Sequence, residues 1–311
     1  MKGLNVSPVM IGFILAIVGT ALFSLKSIFI KLAYVEGLNA DSVLMLRMAL
    51  ALPIYLVVLI WLMRAQTPPK ILSSRLLKIT FLGFIGYYLS SWLDLKGLEM
   101  ISAQLERLTL FTYPFMVALL GAMFFKTPLT RKIILALLIA YSGLWIVFFQ
   151  ELTLAGDQVP LGTLLVFLAA LSFSLYVLFG KKVIHEVGSL WFTSIAMAVS
   201  SFFVLIHFAM VGDFSTLSIT PLAWGWLVLL AIFSTVIPSF MISEAIARIG
   251  PAQTGIVGIL GPIVTMGLAI YVLNEPFTLW HGVGMVLVIS GVALLMVKRD
   301  LCTSGVRQKN K

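Results

Sequence analysis

The amino-acid sequence predicts an all-α integral membrane protein: ten transmembrane helices arranged as two inverted five-helix repeats. Three observations lead there. First, 61% of the 311 residues are hydrophobic and only 11% are charged, with a mean hydropathy of +1.11. A soluble domain averages about 45–50% apolar and about 25% charged residues and keeps a polar skin, so lipid must be the solvent for most of this chain. Second, ten apolar runs approach the roughly 20 residues that a helix needs to cross a ~30 Å hydrocarbon layer. Third, the basic residues fall in alternate loops.

The runs cover 9–34, 43–63, 76–97, 103–125, 131–149, 160–182, 190–211, 221–243, 252–273 and 278–297. The first is longer than the about 7–15-residue apolar core of a signal peptide, and no small-residue cleavage site follows it, so it reads as a retained helix. Connections are short and leave no room for a separate soluble domain. With the N-terminus cytoplasmic, 16 of the 21 Lys and Arg fall on that side, from Lys2 through Arg64, Lys126, Lys181 and Arg248 to the C-terminal tail. The opposite loops carry Glu36, Asp41, Glu99, Glu151, Asp157, Asp213 and Glu275, with Lys96 as the one ambiguous cation. This is the positive-inside pattern of a cell (inner) membrane protein with both termini in the cytoplasm.

The net charge of +9 is therefore topological, and no nucleic-acid partner is expected. One cysteine, Cys302, forms no internal disulfide, and His185, His207 and His281 lie far apart, so neither a metal nor another cofactor is expected. No HExxH motif and no phosphate-cradling glycine loop is present. Ser27 and Lys31, four apart, mimic a serine–lysine dyad, but no oxyanion-hole motif accompanies them, and an enzyme is not expected.

The halves resemble each other. At an offset of 150, Gly12 matches Gly162, Phe23-Ser24-Leu25 matches Phe173-Ser174-Leu175, and Lys31 matches Lys181. At 148, Pro114 matches Pro262, Pro128 matches Pro276, Thr130 matches Thr278, and Ser142-Gly143 matches Ser290-Gly291. The chain thus divides into residues 1–150, 151–300 and a polar cytoplasmic tail, 301–311. Five helices per half is an odd number, so the second half enters the membrane from the opposite side. Inverted repeats characterise secondary transporters, whose halves rock about a central site, although channels share them. Pro53, Pro114, Pro238 and Pro262 lie within the runs and kink them. For the matched pair Pro114 and Pro262, a gating hinge and a static packing kink are both open readings.

The stretch Ser102–Pro114 (SAQLERLTLFTYP), the downstream Pro128-Leu129-Thr130 and the pair Asn274-Glu275-Pro276 resemble the drug/metabolite transporter superfamily, in particular its ten-helix EamA-type branch. The resemblance covers residues 9–297. It implies a gradient-coupled or facilitative carrier of amino acids, related metabolites or drugs. A Gly-Glu-x-hydrophobic-Thr turn typical of each half is kept at Glu275 but replaced by Lys126-Thr127 in the first half.

Charged residues inside a membrane cost at least about 2.5–3.5 kcal/mol each and point to function. Lys26, Arg47, Asp94, Glu106 and Arg107 all fall about 6–10 Å from the midplane, in one layer on the non-cytoplasmic side, at 1.5 Å of rise per residue. Either they line a substrate cavity, or they neutralise one another and fix packing. In the first case Arg47 or Arg107 holds a carboxylate by its guanidinium fork, and Asp94 or Glu106 holds an amine or carries a proton. The equivalents of Asp94, Glu106 and Arg107 are Ile242, Thr254 and Gly255, so the shared fold does not require these charges. Tyr87 and Trp92 are further candidates for stacking on substrate, and Gln104 for binding solute, against ordinary packing or capping roles. Glu244 and Arg248 suggest an interfacial ion pair, and Lys31 a snorkelling lysine. Both charge signs in one layer suit an amino-acid-like solute. The expected partners are a small-molecule substrate and the lipid bilayer; solute, direction, coupling ion and oligomeric state stay open.

Overall fold

The structure, a computed structural model, describes residues 7–65, 73–126, 128–217 and 219–296. The tail 301–311 and Cys302 lie outside them. Among the described residues, nine helical spans are long and apolar enough to cross a membrane: Pro8–Val35, Ala40–Ala65, Ser74–Leu98, Ala103–Phe125, Arg131–Leu154, Val159–Val187, Ser189–Val211, Pro221–Gly250 and Gln253–Leu273. A tenth, shorter apolar helix follows at Leu279–Leu294. Apolar side chains such as Leu77, Met123, Leu138 and Tyr271 are exposed on the outside of the bundle, as a lipid-facing surface requires.

Several spans are broken, and the breaks position the site. The first consists of α1 (Pro8–Ser24) and α2 (Lys26–Val35), parted at Leu25. Carbonyls beside it accept from the second half: Ser234 Oγ donates to Leu22 O at 3.0 Å and Thr265 Oγ1 to Ser24 O at 2.9 Å. The second span is the continuous helix α3 (Ala40–Ala65), with Pro53 inside it. The third runs through α4 (Ser73–Gly83), a π-helical stretch at Phe84–Leu89 and α5 (Ser90–Leu98). Here Ser172 Oγ donates to Ile85 O at 2.6 Å. The fourth parts at Phe111-Thr112 into α6 (Ala103–Leu110) and α7 (Tyr113–Phe125). Unbroken helices follow: α8 (Arg131–Ala155), α9 (Val159–Val187) and α10 (Ser189–Val211).

The eighth span repeats the pattern of the third, with α11 (Pro221–Ala231), a π stretch at Ile232–Val236 and α12 (Ile237–Gly258), which turns sharply at Gly250, φ 83°. The last helices are α13 (Leu260–Leu273) and α14 (Leu279–Met296). Whereas Pro238 follows the π stretch inside a continuous span, Pro114 and Pro262 each stand in the first turn of a resumed segment. A first-turn N–H has no helical partner, so the missing proton of proline costs nothing there. Pro114 and Pro262 thus stand where a helix resumes.

The halves match in detail. The π stretches begin at Phe84 and Ile232, 148 apart, and the fourth and ninth spans both end in a left-handed residue, Lys126 and Asn274, each at φ 53°. Packing between halves occurs in exchanged pairs. A Cβ built on Gly12 would stand 3.1 Å from the Cβ of Arg248, and one on Gly162 2.8 Å from the Cβ of Met100. Between α8 and α14, a Cβ on Gly143 would lie 2.6 Å from the Gly284 carbonyl, and one on Gly291 2.7 Å from that of Ala136. Each second contact is the first with the halves swapped. Glycine is needed on these faces because the backbones nearly touch.

Candidate functional site

The break at Leu25 starts α2 on Lys26, aiming it into the bundle, where it is 6% exposed. Its Nζ lies 2.5 Å from Asp94 Oδ2 on α5 and 3.8 Å from Glu106 Oε1 on α6. Ser27 Oγ, next on α2, donates to Glu106 Oε2 at 2.7 Å. Arg107 reaches the other side of the break: its Nη2 donates to Ser24 Oγ at 3.4 Å, and its guanidinium stands 5.5 Å from the centre of the Phe23 ring. The Lys26 ammonium lies 5.6 Å from the same ring. An aromatic face between two cations eases their mutual repulsion. Glycine at 261, on the ninth span, leaves room for Arg107; a Cβ there would stand 2.9 Å from Nη2.

Four of the five charged residues expected in one layer are thus joined. Arg47, 3% exposed on α3, completes the group without closing a pair: it has no carboxylate within 4 Å among the described residues, and Asp94 is the carboxylate whose field reaches it. The cluster is electrostatically incomplete. Arg47 Nε, Arg107 Nε, Asp94 Oδ1 and Glu106 Oε1 are all buried without a hydrogen-bond partner. Native structures leave few such atoms, since each costs about 1–3 kcal/mol, more for charged groups. Here two donors of cationic groups and two acceptors of anionic groups are left over in one place.

Tyr87, Trp92 and Gln104 fall elsewhere. Tyr87, in the π stretch, shares a 3.3 Å hydrogen bond with Tyr176. Trp92 Nε1 donates to Asp41 Oδ1 at 2.9 Å, near the acidic-loop end. Gln104 Nε2 donates to Pro276 O at 3.2 Å, tying the fourth span to the loop before α14. Glu244 and Arg248 form the expected pair at 2.8 Å. Lys31 lines a cavity with Glu99, Glu151 and Glu275.

Sequence reasoning missed Phe23, Ser24, Ser27 and Gly261 as site residues. Phe23 and Ser24 belong to the repeated Phe-Ser-Leu motif, which read as scaffold. The signal that would find Ser27 is its place one residue after an intramembrane lysine, on a span that must change direction.

Fold and site together define a polytopic membrane protein with broken helices around a buried site of mixed charge. The profile of the EamA-like transporter family matches residues 10–149 and again 160–297, and the chain belongs to that family. It is 28% identical over 284 residues to the uncharacterized transporter YcbK of Bacillus subtilis (strain 168), covering 88% of each chain. It is 25% identical over 296 residues to the uncharacterized transporter YyaM of the same organism, covering 94% of this chain and 93% of YyaM. A solved crystal structure of a protein superposes with a TM-score of 0.63 at 14% identity, over 92% of this chain and 96% of the other, which shows the shared fold. The protein is a multi-pass membrane transporter.

Proposed function

We propose that this transporter is a secondary carrier of small amphoteric metabolites of the amino-acid class, working by alternating access, with Glu106 linking transport to protons. The observation that carries this reading is the set of four unpartnered atoms in the cluster. A solute with a carboxylate and an ammonium supplies what is missing on both sides: acceptors for Arg47 and Arg107, and a donor for Asp94 or Glu106. A purely cationic or anionic solute satisfies only half of them. Glu106 touches both Lys26 and Ser27, so a change in its protonation alters contacts across the break in the first span.

The exchanged packing of the halves supports an inverted repeat that rocks about this cluster, with both termini on the cytoplasmic side of the cell (inner) membrane. In proteoliposomes, a labelled amino-acid panel is expected to show saturable uptake, accelerated by an imposed pH gradient. Glu106→Gln is expected to abolish the acceleration. Saturable uptake that ignores both gradient and substitution refutes proton linkage. No uptake of any amino acid by folded protein refutes the substrate class.

A further inference from the structure

A second cavity of mixed charge opens at the acidic-loop end, with a volume of about 320 Å³. It is lined among others by Lys31, Glu99, Ser102, Glu151, Glu275 and Pro276. The three carboxylates are held in place from behind. Glu275 accepts the Ala103 amide at 2.7 Å and the Gln104 amide at 3.3 Å. Glu151 accepts Ser102 Oγ at 2.6 Å and lies 3.3 Å from His281 Nε2. Glu99 accepts the Ala40 amide and sits 3.7 Å from Lys96 Nζ.

Lys31 lines the same cavity. It feels all three carboxylates across the space, yet no carboxylate lies within 4 Å of it among the described residues. Free chains would collapse into ion pairs; these are tethered, so a cation and three anions face one another across a cavity within the usual 300–1,000 Å³ of a small-ligand site. The excess of negative charge attracts an ammonium, and Lys31 orients the other end of the solute by its carboxylate.

The cavity also connects by sequence to the buried cluster. Lys31 follows Ser27 by four residues on α2, and Ser102 precedes Glu106 by four at the start of α6. One helical turn, about 6 Å of rise, therefore separates the two sites along the same pair of helices.

We infer that this cavity is a second, outer binding site for an amphoteric solute carrying an ammonium and a carboxylate, from which the solute passes to the buried cluster. The inference rests on the substrate class proposed above. Uptake of a labelled mixture of the common amino acids into proteoliposomes, with the acidic-loop end facing the added solute, separates the two. Lys31→Gln is expected to raise KM about tenfold, the effect of losing one charge-assisted contact, with the maximal rate within a factor of two. Lys31→Arg keeps the charge and is expected to restore KM, which distinguishes lost binding from a misfolded variant. Glu106→Gln, by contrast, is expected to lower the maximal rate. An unchanged KM in Lys31→Gln overturns the outer site and leaves the buried one standing, as does a raised KM that Lys31→Arg fails to restore. No uptake by the native protein overturns the substrate class and this inference with it.

Discussion

At the scale of single residues, position in a hydrogen-bond network decides the role of a charge. Glu275 stands outside the membrane spans, and burial pushes its carboxyl above the usual range, opposed by the Ala103 and Gln104 amides and by Lys31. A carboxyl with a raised native pKa contributes most to stability below its unfolded pKa and loses that contribution as pH rises through the native value. The stability gap between the native protein and Glu275→Gln is therefore expected to shift in favour of the variant as pH rises above the ordinary carboxylate range, measured by thermal unfolding in detergent. Glu275→Ala leaves two amides at the start of α6 without an acceptor and is expected to cost about 1–3 kcal/mol in the same assay. Gly261→Ala pushes a methyl group against Arg107 and is expected to cost about 1–3 kcal/mol through overpacking, with reduced uptake. The intramembrane charges were legible in the sequence because charge in an apolar run is conspicuous. Ser24 and Ser27 were not, because serine is common in membrane helices and its partners are set by three-dimensional packing. The same holds for Trp92 and Gln104: nothing in their spacing says that one reaches Asp41 and the other Pro276.

At the scale of helices, the breaks are stabilised from the opposite half. Ser234→Ala combined with Thr265→Val removes both donors to the carbonyls around Leu25. Each is expected to cost about 0.6 kcal/mol, up to about 1.7, the measured range for hydrogen bonds between membrane helices, and the pair to loosen the angle that delivers Lys26 to Asp94. Denaturant unfolding of the variants, with uptake alongside, checks both. Hydropathy located every span, with ends that differ by up to seven residues as at 221–243 against Pro221–Gly250, because a bilayer demands length and apolarity only. It was silent on the π stretches, since a single extra residue in a turn leaves composition unchanged. For Pro114 and Pro262 it could not see that a new segment starts one or two residues before each. The departure at Lys126-Thr127 also has a physical reading now. Glu275 caps the amides of Ala103 and Gln104; 148 residues along, position 103 becomes Pro251, which has no amide proton to cap. The first half lacks the acid where the second half lacks one of the two donors, Ala252 keeping the amide that matches that of Gln104.

At the scale of the whole molecule, the repeat was readable from Pro, Gly and Ser matches because those residues mark the backbone contacts the halves share. Gly143→Leu is expected to part α8 from α14 and lower the unfolding temperature, whereas the same change at Gly225, which has open space around it, is expected to be tolerated. The charge cluster was only half readable: its members lie on four spans, and their pairing depends on how α2, α3, α5 and α6 converge. That convergence has a consequence for biogenesis. Lys26 is synthesised 68 residues before Asp94, so the first span enters the bilayer long before its counter-ion exists. An uncompensated lysine at that depth costs about 2.5–3.5 kcal/mol of insertion. Nascent chains halted before Asp94 should slip out of the membrane or be degraded, and those extended past Phe125 should be retained. The transporter would then commit to the bilayer as a unit of its first three spans, held by one late ion pair, rather than helix by helix.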